Sequence, residues 1–110
     1  MTDSTAEDAK IITLARAARA RVGASTGAAV RDTDGRTYAA AAVSLPSLSL
    51  SALRLAVAMA ASAGAEGLEA AATDASDVHT DLDVVRDLGG AGVPVLLTDG
   101  RGDVCETLRT

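Results

Sequence analysis

Aromatic side chains are almost missing from this chain. Of its 110 residues one is Tyr, none is Phe and none is Trp. A core with a single ring must be filled by Ala, Val, Leu and Ile, and alanine fills space only where backbones come close. The composition therefore predicts thin, tightly stacked layers, with self-association as a further route to burial. Positive charge is also scarce: 10 Lys and Arg against 15 Asp and Glu leave a net charge of −5. That balance excludes broad nucleic-acid binding, which needs basic side chains to displace phosphate counterions, and it disfavours anionic membranes. The single cysteine, Cys105, excludes an internal disulfide and suits a reducing compartment. Met1–Glu7 is polar and acidic, unlike a secretory leader. The longest apolar stretch, within Leu50–Ala65, is shorter than the ~20 residues of a membrane span and carries Arg54. One domain over 1–110, soluble and cytoplasmic, is the expectation, with Met1–Thr5 as a loose tail.

The stretch around which the rest is arranged is Leu45–Gly64. It opens on Pro46 and alternating serines and then turns almost wholly apolar, interrupted by Arg54 and Ser62. Ser49 or Ser51 is placed to cap a helix there, and a helix so apolar calls for burial on most sides. Before it, Ala6–Val22 has helical spacing, with Ile11 or Ile12, Leu14 or Ala15, Ala18 and Val22 on one face. Asp3 or Ser4 would cap it and Gly23 would end it. Lys10, Arg16, Arg19 and Arg21 fall mostly off that face as a solvated surface, with no aromatic beside them for base stacking.

Ser25–Asp32 and Arg36–Ser44 read as strands joined through Thr33-Asp34-Gly35, an Asp-Gly hairpin signal. Leu68–Thr73 reads as a buried strand. Thr80 with Asp83 resembles a capping box before a short helix, Asp81–Leu88, ended by Gly89-Gly90. Val93–Thr98 and Asp103–Leu108 read as strands around an Asp99–Gly102 turn. The order α-β-β-α-β-α-β-β predicts a mixed sheet with helices on both faces.

Gly27-Ala28-Ala29, then Asp34-Gly35, Tyr38 and Val43, resemble the start of the cytidine deaminase family. There a Val-Gly-Ala-Ala strand leads through an Asp-Gly hairpin into a Tyr-x-Gly-x-Asn-Val-Glu-Asn strand. The spacing matches without a gap from Gly27 to Val43, and the likeness extends over most of Ala6–Leu97. It implies a three-layer α/β/α sandwich with a five-stranded mixed sheet. It also implies dimers or tetramers built through the central helices.

The family's chemistry needs zinc, held by a Cys or His at the start of the central helix and by a Pro-Cys-x-x-Cys at the next. A Glu two residues after the first ligand shuttles protons while zinc-bound hydroxide attacks the pyrimidine. Carried over without a gap, the first ligand is Leu53 and the proton shuttle Leu55. With a loop two residues shorter they become Ser51 and Leu53, and Arg54 then pairs with the family's Arg after the Glu. Aligning Arg86 with the family's Cys-Arg puts the two cysteines at Leu82 and Val85; a shift of one gives Asp81 and Val84. No cysteine stands between Met1 and Val104, so no register supplies one. The ribose-holding Asn and Glu correspond to Ala42 and Ser44, and a Phe before the first strand corresponds to Ala24. These eight positions, Ala24, Ala42, Ser44, Ser51, Leu53, Leu55, Leu82 and Val85, are the remnant of the pocket. Branched aliphatics there predict core in place of a cleft.

Other constellations reduce to structural roles. Asp74, Asp77, Asp81 and Asp83 with His79 fit no EF-hand spacing and read as a solvated loop and cap. Ser47, Ser49 and Ser51 have no activating base in the pattern, Gly23, Gly27 and Gly35 form no GxGxxG set, and Arg101-Gly102-Asp103 is a hairpin turn. The reading is a non-catalytic domain with no metal, cofactor or catalytic residue, acting through a second copy of itself or another protein. The alternatives are a nucleoside- or base-binding module and a related hydrolase with an atypical site.

Overall fold

The computed structural model of the chain describes residues 3–76 and 78–110. Helix α1 (Asp3–Val22) leads into β1 (Gly27–Asp32) and β2 (Thr37–Ala41), then a small hairpin, β3 (Val43–Leu45) and β4 (Leu48–Leu50). Helix α2 (Ala52–Ser62) follows, then β5 (Leu68–Thr73), α3 (Asp81–Gly89), β6 (Pro94–Thr98) and β7 (Val104–Arg109). Five strands form one mixed sheet in the order β2-β1-β5-β6-β7. The β5–β6 pair is parallel, joined across α3, and the other pairs are antiparallel.

Alternation along the strands sorts the small residues onto two faces. Ala28, Val30, Ala71 and Val95 meet α2 and α3 on one side, with Leu53, Ala56, Val57, Ala60 and Val85. Ala29, Ala70, Ala72 and Leu96 meet Ile11 and Ala15 of α1 on the other. This is the expected three-layer α/β/α sandwich. A bulge in β5 assists the sorting: Arg31 faces Ala70 and Asp32 faces Leu68, so Glu69 is an extra residue. The bulge turns Leu68 onto the α2–α3 side. It leaves Glu69 beside Arg31, whose Nε donates to Glu69 Oε1 at 2.9 Å.

The thin layers expected from an alanine-rich core are visible at Gly27. A Cβ there would run into the carbonyl oxygen of Ala15 and come within 3.0 Å of Arg19 Cβ. Asp74 ties the same corner together: its Oδ1 accepts the Gly27 N–H at 2.9 Å and its Oδ2 pairs with Arg19 Nη1 at 3.0 Å.

Several boundaries differ from the expectation. Asp3–Thr5 belong to α1 and not to a loose tail, which places Asp3 and Ser4 inside the helix instead of at its cap. Apolar spacing begins only at Ile11 and cannot register a first turn that lacks apolar side chains. Val22 is 66% exposed, so the expected apolar face of α1 is buried at Ile11, Ala15 and Ala18 and does not continue to the last turn. The expected Arg36–Ser44 strand is two strands, β2 ending at Ala41 and β3 starting at Val43. The serine-rich opening of the central stretch is a hairpin, with Leu45 opposite Leu48 across Pro46-Ser47, and α2 starts only at Ala52. Ser51 is the cap, its Oγ accepting the Arg54 N–H at 3.1 Å. Thr80 makes no side-chain capping bond, so the expected capping box is not formed. Nor is α2 buried on most sides within this chain: Arg54, Ala58, Met59, Ala61 and Ser62 are exposed.

Candidate functional site

The eight remnant-pocket residues divide by element. Ser51 caps α2, and Leu53 is the second residue of that helix. Leu82 is likewise the second residue of α3. The N-termini of the two helices thus present equivalent positions to the same side of the sheet. Leu53 (1% exposed) and Val85 (0%) sit in one core with Val30 and Val95, and Leu55, Leu82 and Ala42 pack against it. Ser44 is exposed on β3, and Ala24 lies in the turn after α1, its N–H bonded to the Arg19 carbonyl. The structure therefore gathers five of the eight, with Ser51 at their margin, and leaves Ser44 and Ala24 apart from them.

The histidine and cysteine fall elsewhere. His79 is exposed in the β5–α3 loop, and Cys105 is exposed on the edge strand β7. Of the acidic run, Asp74 is held by Arg19 and Gly27, Asp81 by Arg54, and Asp83 is exposed; Asp77 lies outside the described residues. Among the described residues no three His, Cys, Asp or Glu side chains gather as a metal would require.

The charged contact between α2 and α3 has no signal in the sequence. Arg54 Nε of α2 lies 3.1 Å from Asp81 Oδ1, the first residue of α3, with the carboxylate side chain only 6% exposed. Nothing along the chain links positions 27 apart. Only docking of α2 beside α3 pairs them.

Tyr38, one of the residues carrying the family resemblance, serves the hairpin. Its hydroxyl donates to Asp32 Oδ2 at 3.1 Å, while Asp32 Oδ1 accepts the Asp34 and Arg36 N–H groups, both at 2.9 Å. Burial by itself raises the Asp32 pKa, but the bonds from Arg36, Tyr38 and Asp34 outweigh it and hold the carboxyl below its ordinary value. Burial, and then the bond to Asp32, push the Tyr38 phenol up. A carboxyl whose pKa falls on folding stabilises the fold above its unfolded value, and that gain disappears as pH drops through the folded value. Asp32→Ala is expected to lower Tm by roughly 5–10 °C at pH 7. The gap to wild type should shrink as pH falls below about 4. Parallel melting curves from pH 7 to pH 2.5 check this, and a gap that does not depend on pH rejects it.

The outward side of α2 carries two adjoining apolar grooves. One is lined by Leu55, Ala58, Met59, Ser62 and Ala63. The other runs between α2 and α3, lined by Val57, Ala58, Ala61, Val84, Asp87 and Leu88. Ala58 belongs to both. Among the described residues no helix is long and apolar enough to cross a membrane.

Comparisons with known proteins agree with this architecture. The family model described as cytidine deaminase-like matches residues 4–102. Cytidine deaminase from Burkholderia pseudomallei superposes with a TM-score of 0.71 at 24% identity, covering 92% of this chain and 89% of that one. Cytidine deaminase from Mycobacterium leprae gives 0.66 at 19% identity, covering 80% and 85%. No curated protein matches. With a family model spanning nearly its whole length, and the sandwich shared with both deaminase structures, the chain belongs to the cytidine deaminase-like family.

Proposed function

We propose that this chain is a zinc-free member of its family that does no deaminase chemistry and acts by associating with a second copy of itself. The observation that carries the first half is the identity of Leu53, Leu55, Leu82 and Val85, together with the burial of Leu53 and Val85. In the ungapped register the positions that correspond to metal ligands and proton shuttle are all aliphatic, and Leu53 and Val85 are core residues; the shifted registers add only Ser51 and Asp81, and Asp81 is paired with Arg54. Catalytic zinc takes three protein donors of N, O or S type, and hydrocarbon side chains offer none. The residues present do not fit the metal, and no hydrolytic step is derived through it. Metal analysis of purified protein and a cytidine-to-uridine absorbance assay test this half: no stoichiometric zinc and no turnover are expected, and zinc with turnover would overturn it.

The second half rests on α2. Its outward face is apolar along two adjoining grooves, and small residues there, Ala58, Ala61, Ser62 and Ala63, let another backbone come close. Met59 remains 39% exposed. An apolar face on one rigid helix suits an isologous contact, in which the same patch meets itself across a two-fold axis. Light scattering at micromolar concentration is expected to give a multiple of the 10.9 kDa chain mass. Ala58→Arg, which sets a charge where both grooves meet, should shift it to monomer with association weakened at least about 100-fold. A wild type that is monomeric throughout rejects the association. A nucleoside-binding module is the competing reading, and a thermal shift with any nucleoside would favour it.

A further inference from the structure

The N-termini of α2 and α3 lie side by side against one face of the sheet, and the contact between them is charged. Arg54 Nε meets Asp81 Oδ1 at 3.1 Å. Asp81 is 4% exposed and heads α3, where a carboxylate is favoured by the free N–H groups of the first turn. Arg54 stands in the first turn of α2, next to Leu53, and its side chain remains 45% exposed. An arginine at that end of a helix runs against the helix dipole, so its own helix gives it no reason to be there. Asp81 supplies one. The first turns also flank the apolar positions: Leu53 precedes Arg54 directly, and Leu82 follows Asp81 directly.

We infer that the Arg54–Asp81 ion pair is a clasp that joins the N-termini of α2 and α3, taking the cross-linking place of a metal that this chain's residues do not hold. The inference rests on the zinc-free reading above. A metal at such a place ties two helix starts through side chains from both. Here one cation and one anion, one from each start, make the same tie without a third component. The aliphatic side chains behind the pair exclude water from its inner side, which favours the attraction over that of a fully solvated pair. Burial of Asp81 makes the contact asymmetric: removing Arg54 leaves a carboxylate in a place with little access to water.

A double-mutant cycle on the full chain tests the clasp, with Arg54→Met retaining most of the aliphatic stem and Asp81→Asn retaining the shape. Each single variant is expected to lower Tm by about 5 °C. In the Arg54→Met background, Asp81→Asn should cost little or restore part of the loss, because the orphaned charge is gone. Amide exchange over Leu82–Val85 should speed up in Arg54→Met. If Asp81→Asn costs the same in both backgrounds, Asp81 serves only its own helix and the clasp is rejected. Metal analysis on the same preparations keeps the two readings apart. Bound zinc would sink the zinc-free reading whatever the cycle gives, whereas additive losses in metal-free protein sink the clasp alone.

Discussion

Gly27→Ala is expected to destabilise the protein by about 3 kcal/mol, at the upper end of what overpacking costs. The added methyl would meet the backbone oxygen of Ala15, with Arg19 Cβ at 3.0 Å, and a carbonyl in the middle of a helix cannot swing aside. Relief requires moving α1 off β1. That would loosen the contact of Ile11 and Ala15 with Ala29 and disturb Asp74, which holds both the Gly27 N–H and Arg19. In a domain of this size the loss corresponds to a fall in Tm of more than about 10 °C. Gly100→Ala is the control, since nothing lies within 4 Å of a Cβ there, and it should stay within about 0.5 kcal/mol of wild type. Urea unfolding of the pair measures the contrast. Equal midpoints for Gly27→Ala and wild type would mean that α1 does not sit this close to the sheet.

Leu53→Ala is the second large effect, at about 3–4 kcal/mol. Leu53 is 1% exposed and among the largest fully buried side chains, enclosed on the α2–α3 side of the sheet. Truncating it removes apolar contact and leaves a void that the surrounding backbone closes only in part. The size of the loss bears directly on function, because Leu53 stands where the resemblance places a metal ligand. A side chain bordering an open cleft could be shortened at little cost, since water already reaches it. Leu48→Ala, on the exposed hairpin at 48% exposure, should cost under about 0.5 kcal/mol. A Leu53→Ala loss below about 1 kcal/mol would contradict its place in the core.

Much of the architecture could be read along the chain because its signals are local. Leu68–Thr73 is a strand over the expected residues, mostly apolar apart from Glu69 and Thr73 and preceded by a glycine turn. The Asp34-Gly35 hairpin forms as expected, with Gly35 at a φ of +85° that a side-chain-bearing residue resists. Ser51 caps α2, one of two serines expected to do so. The β3–β4 hairpin could not be read in the same way. Its Leu-x-x-Leu-x-Leu pattern lacks the Asn-Gly or Asp-Gly turn that marks a two-residue loop, and its serines suit a helix cap equally well.

By itself the amino-acid order settled composition and local shape: an alanine-rich, aromatic-poor interior, the hairpin at Asp34-Gly35, and aliphatics where the family's ligands would stand. Hydrogen-bonding preference, side-chain volume and missing donor atoms are properties of single residues or near neighbours, so they need no third dimension. Tertiary structure alone decided which surfaces meet. It set Arg54 against Asp81, put Ala15 against Gly27, and left one side of α2 uncovered although its residues are apolar nearly all round. Those outcomes depend on how rigid helices stack on a twisted sheet. Contacts between residues 12 or 27 apart come from that stacking, and a periodic pattern carries no trace of them.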